Sequence, residues 1–313
     1  MRSVVKLALA MIMVIGIALS AVACSAEDAT NGSMQFTDQL GRTVTLNGTP
    51  QRIISLAPAN TEILFALGLS DKVVGDTDYC NYPAEAQNVS KVGGFSTPSI
   101  EKIVALQPDV VFAAPIHEAK VIPQLENLGI KVIALAPTTI NETYDAIELV
   151  GKVTSVQKAA DTLTKSMKTR IDAVTSLVAN LSIGERPNVF YIVWHDPLMT
   201  AGHDTLQGQL IELAGGKNIF DDLTGYPKPQ GAPEPVLDRN PDIIIAGTGM
   251  GSGADAPLQW AQNGSSLQGT NAYKEGKIFS INTDIAGRFG PRIVDALEEM
   301  LRLIHPELVA KLK

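Results

Sequence analysis

The side chains that could do chemistry are few and far apart. The 313-residue chain has four histidines, His117, His195, His203 and His305, and no two have metal-ligand spacing such as HxxxH. Its two cysteines, Cys24 and Cys80, give neither a disulfide framework nor a cysteine metal site. No Gly-x-Ser-x-Gly elbow and no Ser–His–acid set supplies a nucleophile. The acid pairs Asp76/Asp78 and Asp221/Asp222 sit in loops and read as solvated turns. Gly247 to Gly253 is glycine-rich, but a phosphate cradle needs a helix opening directly on it. Here Ala254, Asp255, Ala256 and Pro257 follow, so the stretch reads as a loop. What remains is binding chemistry. Aromatic residues make up only 5% of the chain, so their placement is informative. Tyr79, Tyr82, Phe95, Trp194 and Phe289 fall in loops or at strand ends, where flat side chains suit a large flat ligand. His117 and His195 follow apolar strands on the side where open α/β sheets hold ligands.

The elements that carry these residues are written twice. Ile100–Ala114 returns as Pro233–Gly247, and an offset of 133 residues carries Pro108 onto Pro241. Each copy reads as a short helix, a Pro-Asp turn and a buried strand. The period is too long for a solenoid, so it implies two similar α/β lobes with a cleft between them. In lobe one, Thr37–Leu46 reads as a hairpin and Arg52–Leu56 as the first buried strand. A helix opens at Pro58, with Asn60 or Thr61 as its cap and Glu62 as a first-turn carboxylate favoured by the helix dipole. Strands at Val73–Gly75 and Lys131–Leu135 alternate with helices, the mark of a mostly parallel sheet covered on both faces. Thr139 and Glu142 form a capping-box pattern. From Ser155 to Ser182 there is no Gly or Pro, and Ala159, Leu163, Met167, Ile171, Val174, Val178 and Leu181 make a helical stripe. This predicts one rigid rod of ~40 Å joining the lobes and permitting only small relative motion. Lobe two then has a strand over Asn188–Trp194, a helix over Leu206–Ala214, a strand over Lys277–Asn282 and a last helix from Pro291.

The ends and the charge bound the setting. Arg2 and Lys6 precede an apolar run, Leu7–Leu19, shorter than the ~20 residues a bilayer span needs. Ala21-Val22-Ala23-Cys24 then resembles a bacterial lipobox, with Cys24 as the lipidated residue. The expected organisation is a signal peptide (1–23), a lipid-anchored linker (24–33), an N-terminal lobe (34–152), a linking helix (153–183) and a C-terminal lobe (184–313). Without the leader, 23 basic face 33 acidic side chains, a net charge of −10, with no basic cluster to attract nucleic acid.

Arg52-Ile53-Ile54-Ser55-Leu56-Ala57-Pro58-Ala59-Asn60-Thr61-Glu62, the Leu67-Gly68 helix end, both Pro-Asp strands and the long inter-lobe helix carry a resemblance. Over nearly all of residues 35–313 the chain resembles the substrate-binding components of ABC importers for vitamin B12, haem and ferric siderophores. Within that family Val74–Ala86 resembles the first cleft loop of cobalamin binders, while Ile285 stands where a familiar cobalamin binder has tryptophan. The resemblance implies a two-lobed α/β fold on a single helix, slight closure on ligand, and no enzymatic activity, cofactor or bound metal of its own. It implies a corrinoid guest contacted by Tyr79, Phe95, Trp194, Asp284 and Arg288, with His117 and His195 as further candidates. It also implies docking on the transmembrane subunits of an ABC permease through one acid per lobe, at Glu62 and Glu234. The expected protein is an extracytoplasmic, lipid-anchored monomer. A haem or ferric-siderophore receptor is the alternative within the family, and a cell-surface hydrolase the alternative outside it.

Overall fold

Val110 and Phe112 pack to one side of their strand, and Val111 and Ala113 to the other. Val189 and Tyr191 likewise part from Phe190 and Ile192. Alternating side chains on a pleated strand face opposite ways, so an unbroken apolar run requires cover on both faces. The structure, a computed structural model, describes residues 33–229, 233–249 and 255–312. The leader, Cys24, most of the linker and Met250–Ala254 lie outside the described residues.

In lobe one, β1 (Ser33–Thr37) and β2 (Thr43–Asn47) form the expected hairpin. The four-stranded parallel sheet uses β3 (Ile53–Ser55), β4 (Val73–Gly75), β5 (Val110–Ala113) and β6 (Val132–Ala134), in the order β4-β3-β5-β6. Lobe two begins with β7 (Asn188–Ile192), a short antiparallel ribbon of β8 (Trp194–His195) and β9 (Leu198–Met199), and β10 (Lys217–Asn218). With β11 (Ile243–Thr248) and β12 (Ile278–Asn282) it makes a second parallel sheet in the order β10-β7-β11-β12. The two orders are the same path repeated, as the 133-residue offset requires. The strand expected over Asn188–Trp194 is broken at Val193, and Trp194 turns off into the ribbon.

One apolar cluster joins both lobes along the linking helix, Gln157–Val178. Each lobe keeps a private cluster on the far side of its sheet. The linking helix has 22 residues, ~33 Å, shorter than the expected rod because it starts two residues later, at Gln157, and gives way to a turn after Val178. Its buried stripe is Ala160, Thr164, Met167, Ile171, Val174 and Val178. At the N-terminal end Ala160 and Thr164 are the most buried positions, and the expected Ala159 and Leu163 pack half-buried against the same core. Arg170 fixes the helix to lobe two through Asp295 (2.7 Å) and Glu298 (2.8 Å). Among the described residues no helix is long and apolar enough to cross a membrane.

The helix Pro58–Ala66 corrects a local expectation. Its cap position is Ala57, without a side-chain bond. Asn60 instead donates to the carbonyl of Ala113 at 2.9 Å, and the Thr61 hydroxyl meets Ser55 Oγ at 2.7 Å. Both side chains tie the helix to strand ends beneath it. Proline, with its preset φ, starts the helix in their place.

Candidate functional site

The loop after β4 is built around one ammonium group. Lys91 Nζ donates to Asp76 Oδ1 (2.7 Å), to the carbonyl of Cys80 (3.2 Å) and to that of Ala86 (2.9 Å). Three donors meet three oxygens, so residues 76–91 close around the lysine. Asp76 is fully buried and not a solvated turn residue. Burial pushes its carboxyl up to about 6, against the opposing pull of Lys91. Cys80 is also buried, and burial raises its thiol pKa, as suits a packed, unreactive cysteine. With its interior filled, the loop turns Tyr79 and Tyr82 outward, at 61% and 46% exposure.

Phe95 is held from behind by His117. The amide of Ala114 donates to His117 Nδ1 at 2.9 Å. An amide can only donate, so the proton sits on Nε2, which bonds the carbonyl of Phe95 at 2.6 Å. The two rings meet edge to face at 5.6 Å. His117 is wholly buried, and that burial lowers its pKa and keeps it neutral. With both nitrogens engaged and no exposed surface, it cannot touch a ligand. The expected contact role of His117 is corrected to one of support.

On lobe two, the rings of Trp194 and His195 pack at a tilt of 48° with centres 4.9 Å apart, and the indole N–H donates to the carbonyl of Asp196 at 2.9 Å. His195 Nδ1 is buried and has no partner. Tyr226, 47% exposed, was not singled out in the sequence; its hydroxyl donates to Gln207 Oε1 at 3.1 Å. The signal was available, since it is one more aromatic in a loop.

The lobes meet where contact with ligand or permease was expected. Glu62 is 3% exposed. Its Oε1 accepts from Arg288 Nη1 (2.9 Å) and Arg292 Nη2 (2.7 Å), and its Oε2 from Arg292 Nε (2.8 Å). Arg288 also bonds Asn81 Oδ1 at 2.9 Å and pairs with Asp284. Asn81 Nδ2 donates to Asp284 Oδ2 at 2.6 Å. The Arg292 guanidinium lies 3.9 Å from the ring centre of Tyr82. Glu62 therefore faces the other lobe and not a rim, which corrects its docking assignment. Asp284 and Arg288 already satisfy each other and lobe one. Asn81 and Arg292, absent from the sequence reading, complete the cluster. Glu234 is exposed at the start of its short helix, Glu234–Arg239.

Among the described residues no group of three or more His, Cys, Asp or Glu side chains is placed to hold a metal. Two surface hollows are not lined by Tyr79, Tyr82, Phe95, Trp194 or Tyr226. One of about 660 Å³ lies behind the cleft loop at Phe65, Val74 and Pro83, and one of about 430 Å³ at Arg186, His203 and Lys217. The arrangement offers stacking faces and backbone groups.

The family model described as periplasmic binding protein matches residues 53–285. An ABC transporter substrate-binding lipoprotein of Bacillus subtilis, YvrC, is 34% identical over 279 residues, covering 86% of this chain and 85% of the relative. The crystal structure of the periplasmic vitamin B12 binding protein BtuF of Vibrio cholerae superposes with a TM-score of 0.68 at 27% identity, covering 84% of this chain and 98% of that one. A possible iron-binding periplasmic solute-binding protein from Staphylococcus epidermidis gives a TM-score of 0.71 at 30% identity, covering 82% and 100%.

Proposed function

The chain belongs to the periplasmic binding protein family, and from that premise we propose that it is the extracytoplasmic substrate-binding subunit of an ABC importer, capturing a corrinoid between its lobes. The observation that carries the ligand reading is the loop that closes on Lys91 and turns Tyr79 and Tyr82 outward at the lobe junction. Exposed apolar side chains elsewhere, such as Ile116, Leu128 and Ile183, stand singly, whereas Tyr79 and Tyr82 are two exposed aromatics on one short loop, which marks a contact face. Phe95 on the same lobe, and Trp194, His195 and Tyr226 on the other, extend that face. A flat guest would be held by stacking and backbone hydrogen bonds and released unaltered. Vitamin B12 is named for a structural relative, which favours the same reading here.

Delivery would proceed by docking on the permease, with the protein tethered to the membrane through lipid on Cys24. Glu234 is one docking acid. The 133-residue offset carries Glu101 onto Glu234, and both stand exposed in the first turn of matching helices. Glu101, in place of buried Glu62, is therefore the docking acid of lobe one. Such exposed charges act on encounter rate and register.

A haem guest is the second reading. His195 is half-buried on lobe two, and a partly exposed imidazole is a side chain that can offer a nitrogen to iron. Calorimetric and absorbance titration of residues 25–313 with cyanocobalamin, haemin and a ferric siderophore panel separates these. Saturable one-to-one cyanocobalamin binding is expected. Saturation by haemin or a siderophore alone overturns the corrinoid assignment.

A further inference from the structure

Arg288 and Arg292 lie where the lobes meet, and both are committed to acids of the protein itself. Arg292 gives Nε and Nη2 to Glu62. Arg288 gives one nitrogen to Glu62 and Asn81 and the other to Asp284. Two positive and two negative charges make a neutral set. The Glu62 side chain is 2% exposed, and those of the arginines 15% each. Glu62 has no route to water while the lobes are together, so an incoming anion cannot simply replace it.

We propose that Glu62, with Asp284, is a built-in counter-anion that reserves both arginines and sets a charge rule for the cleft, favouring neutral guests over polyanionic ones. The inference rests on reading the lobe junction as the ligand site. Pairing an arginine with a ligand carboxylate or catecholate would strand a buried carboxylate of the protein. Stranding one partner of a buried ion pair weakens a competing complex by ~10² or more. An electrically neutral guest such as cyanocobalamin meets no such conflict. An iron(III) tris-catecholate, with three negative charges, meets it fully. The same acid that locks the lobes together thereby sorts their guests, and removing it should create an anion site from groups already present.

The test compares cyanocobalamin with the iron(III) complex of a synthetic tripodal tris-catecholate, by fluorescence and calorimetric titration, on wild type and Glu62→Gln. The ratio of tris-catecholate to cyanocobalamin affinity is expected to rise at least tenfold in Glu62→Gln. It should fall back in Glu62→Gln/Arg292→Met, where the unpaired cation is gone. If thermal melting shows that Glu62→Gln does not fold, the more exposed Asp284→Asn carries the test, and the same ratio should rise. A ratio within twofold of wild type, or a gain that survives the double substitution, overturns the inference. A wild type that already prefers the tris-catecholate also overturns it while leaving the cleft reading intact. A wild type that binds neither probe removes the cleft reading, and the charge rule with it.

Discussion

Arg292 grips Glu62 with two nitrogens of its fork, Nε to Oε2 at 2.8 Å and Nη2 to Oε1 at 2.7 Å, across 230 residues of sequence. The bond joins the lobes at a point remote in sequence from the linking helix, and Gln209 Nε2 to the carbonyl of Thr138, at 2.9 Å, adds a second crossing. Burial opposes the charge on Arg292, yet Glu62 outweighs it and holds the guanidinium pKa above its usual value. Arg292→Met should therefore lower unfolding stability by about 3 kcal/mol, because Glu62 keeps only Arg288 as a charged partner. Urea denaturation measures this, and a loss below about 1 kcal/mol contradicts a two-arginine lock.

His117 positions Phe95 through its ring nitrogens. His117→Phe leaves the Ala114 amide and the Phe95 carbonyl without partners, at about 1–3 kcal/mol each. Cyanocobalamin affinity should fall together with stability, and His117→Gln should recover part of both. A variant that loses stability but keeps full affinity would separate His117 from ligand binding.

Asp76 gives a pH signature of unusual sign. Its folded pKa is about 6 against an ordinary 3.8. Between pH 4 and 6 the folded chain holds a proton that the unfolded chain releases, so raising pH through this window removes stability. The total is about 3 kcal/mol, and little further change follows well above pH 6. His117 acts oppositely: its lowered folded pKa makes stability fall as pH drops below its ordinary 6.5. Comparing wild type with Asp76→Asn across pH 4–7 isolates the first effect. Parallel curves for the two proteins would refute it.

Tyr79 should matter to ligand and not to fold. At 61% exposure its removal in Tyr79→Ala should change stability by less than about 0.5 kcal/mol. Cyanocobalamin affinity should drop about tenfold, the loss of one stacking face worth about 1.4 kcal/mol. Unchanged affinity would place the guest elsewhere.

Docking should depend on Glu101 and Glu234 together. Glu101→Ala/Glu234→Ala is expected to keep ligand affinity and to reduce uptake in cells carrying the importer. Uptake equal to wild type would remove both residues from the docking account.

The lobes and their sheets were legible because their signals are local. A buried strand such as Val110–Ala113 declares itself by composition, and the 133-residue repeat reports that the same unit occurs again. That Tyr79 is exposed and that Trp194 lies past the end of its buried strand were legible from the loop signals around them. Partnerships were not. Glu62 reads as a first-turn carboxylate until two arginines more than 220 residues away arrive beside it. Asp76 reads as a turn residue until Lys91 fills the loop. The stripe of the linking helix was legible, but not that Thr164 is buried beside the half-buried Leu163, since packing against both lobes decides how deep each sits.

The most direct test of the two-lobed clamp uses its two tryptophans, Trp194 and Trp260. A Trp260→Phe variant leaves Trp194 as the sole emitter, and a corrinoid absorbs across its emission band. Titration with cyanocobalamin should quench that emission saturably, with an endpoint at one equivalent matching the calorimetric stoichiometry. Calorimetric binding without quenching of Trp194 would place the corrinoid outside the junction of the lobes and contradict the account.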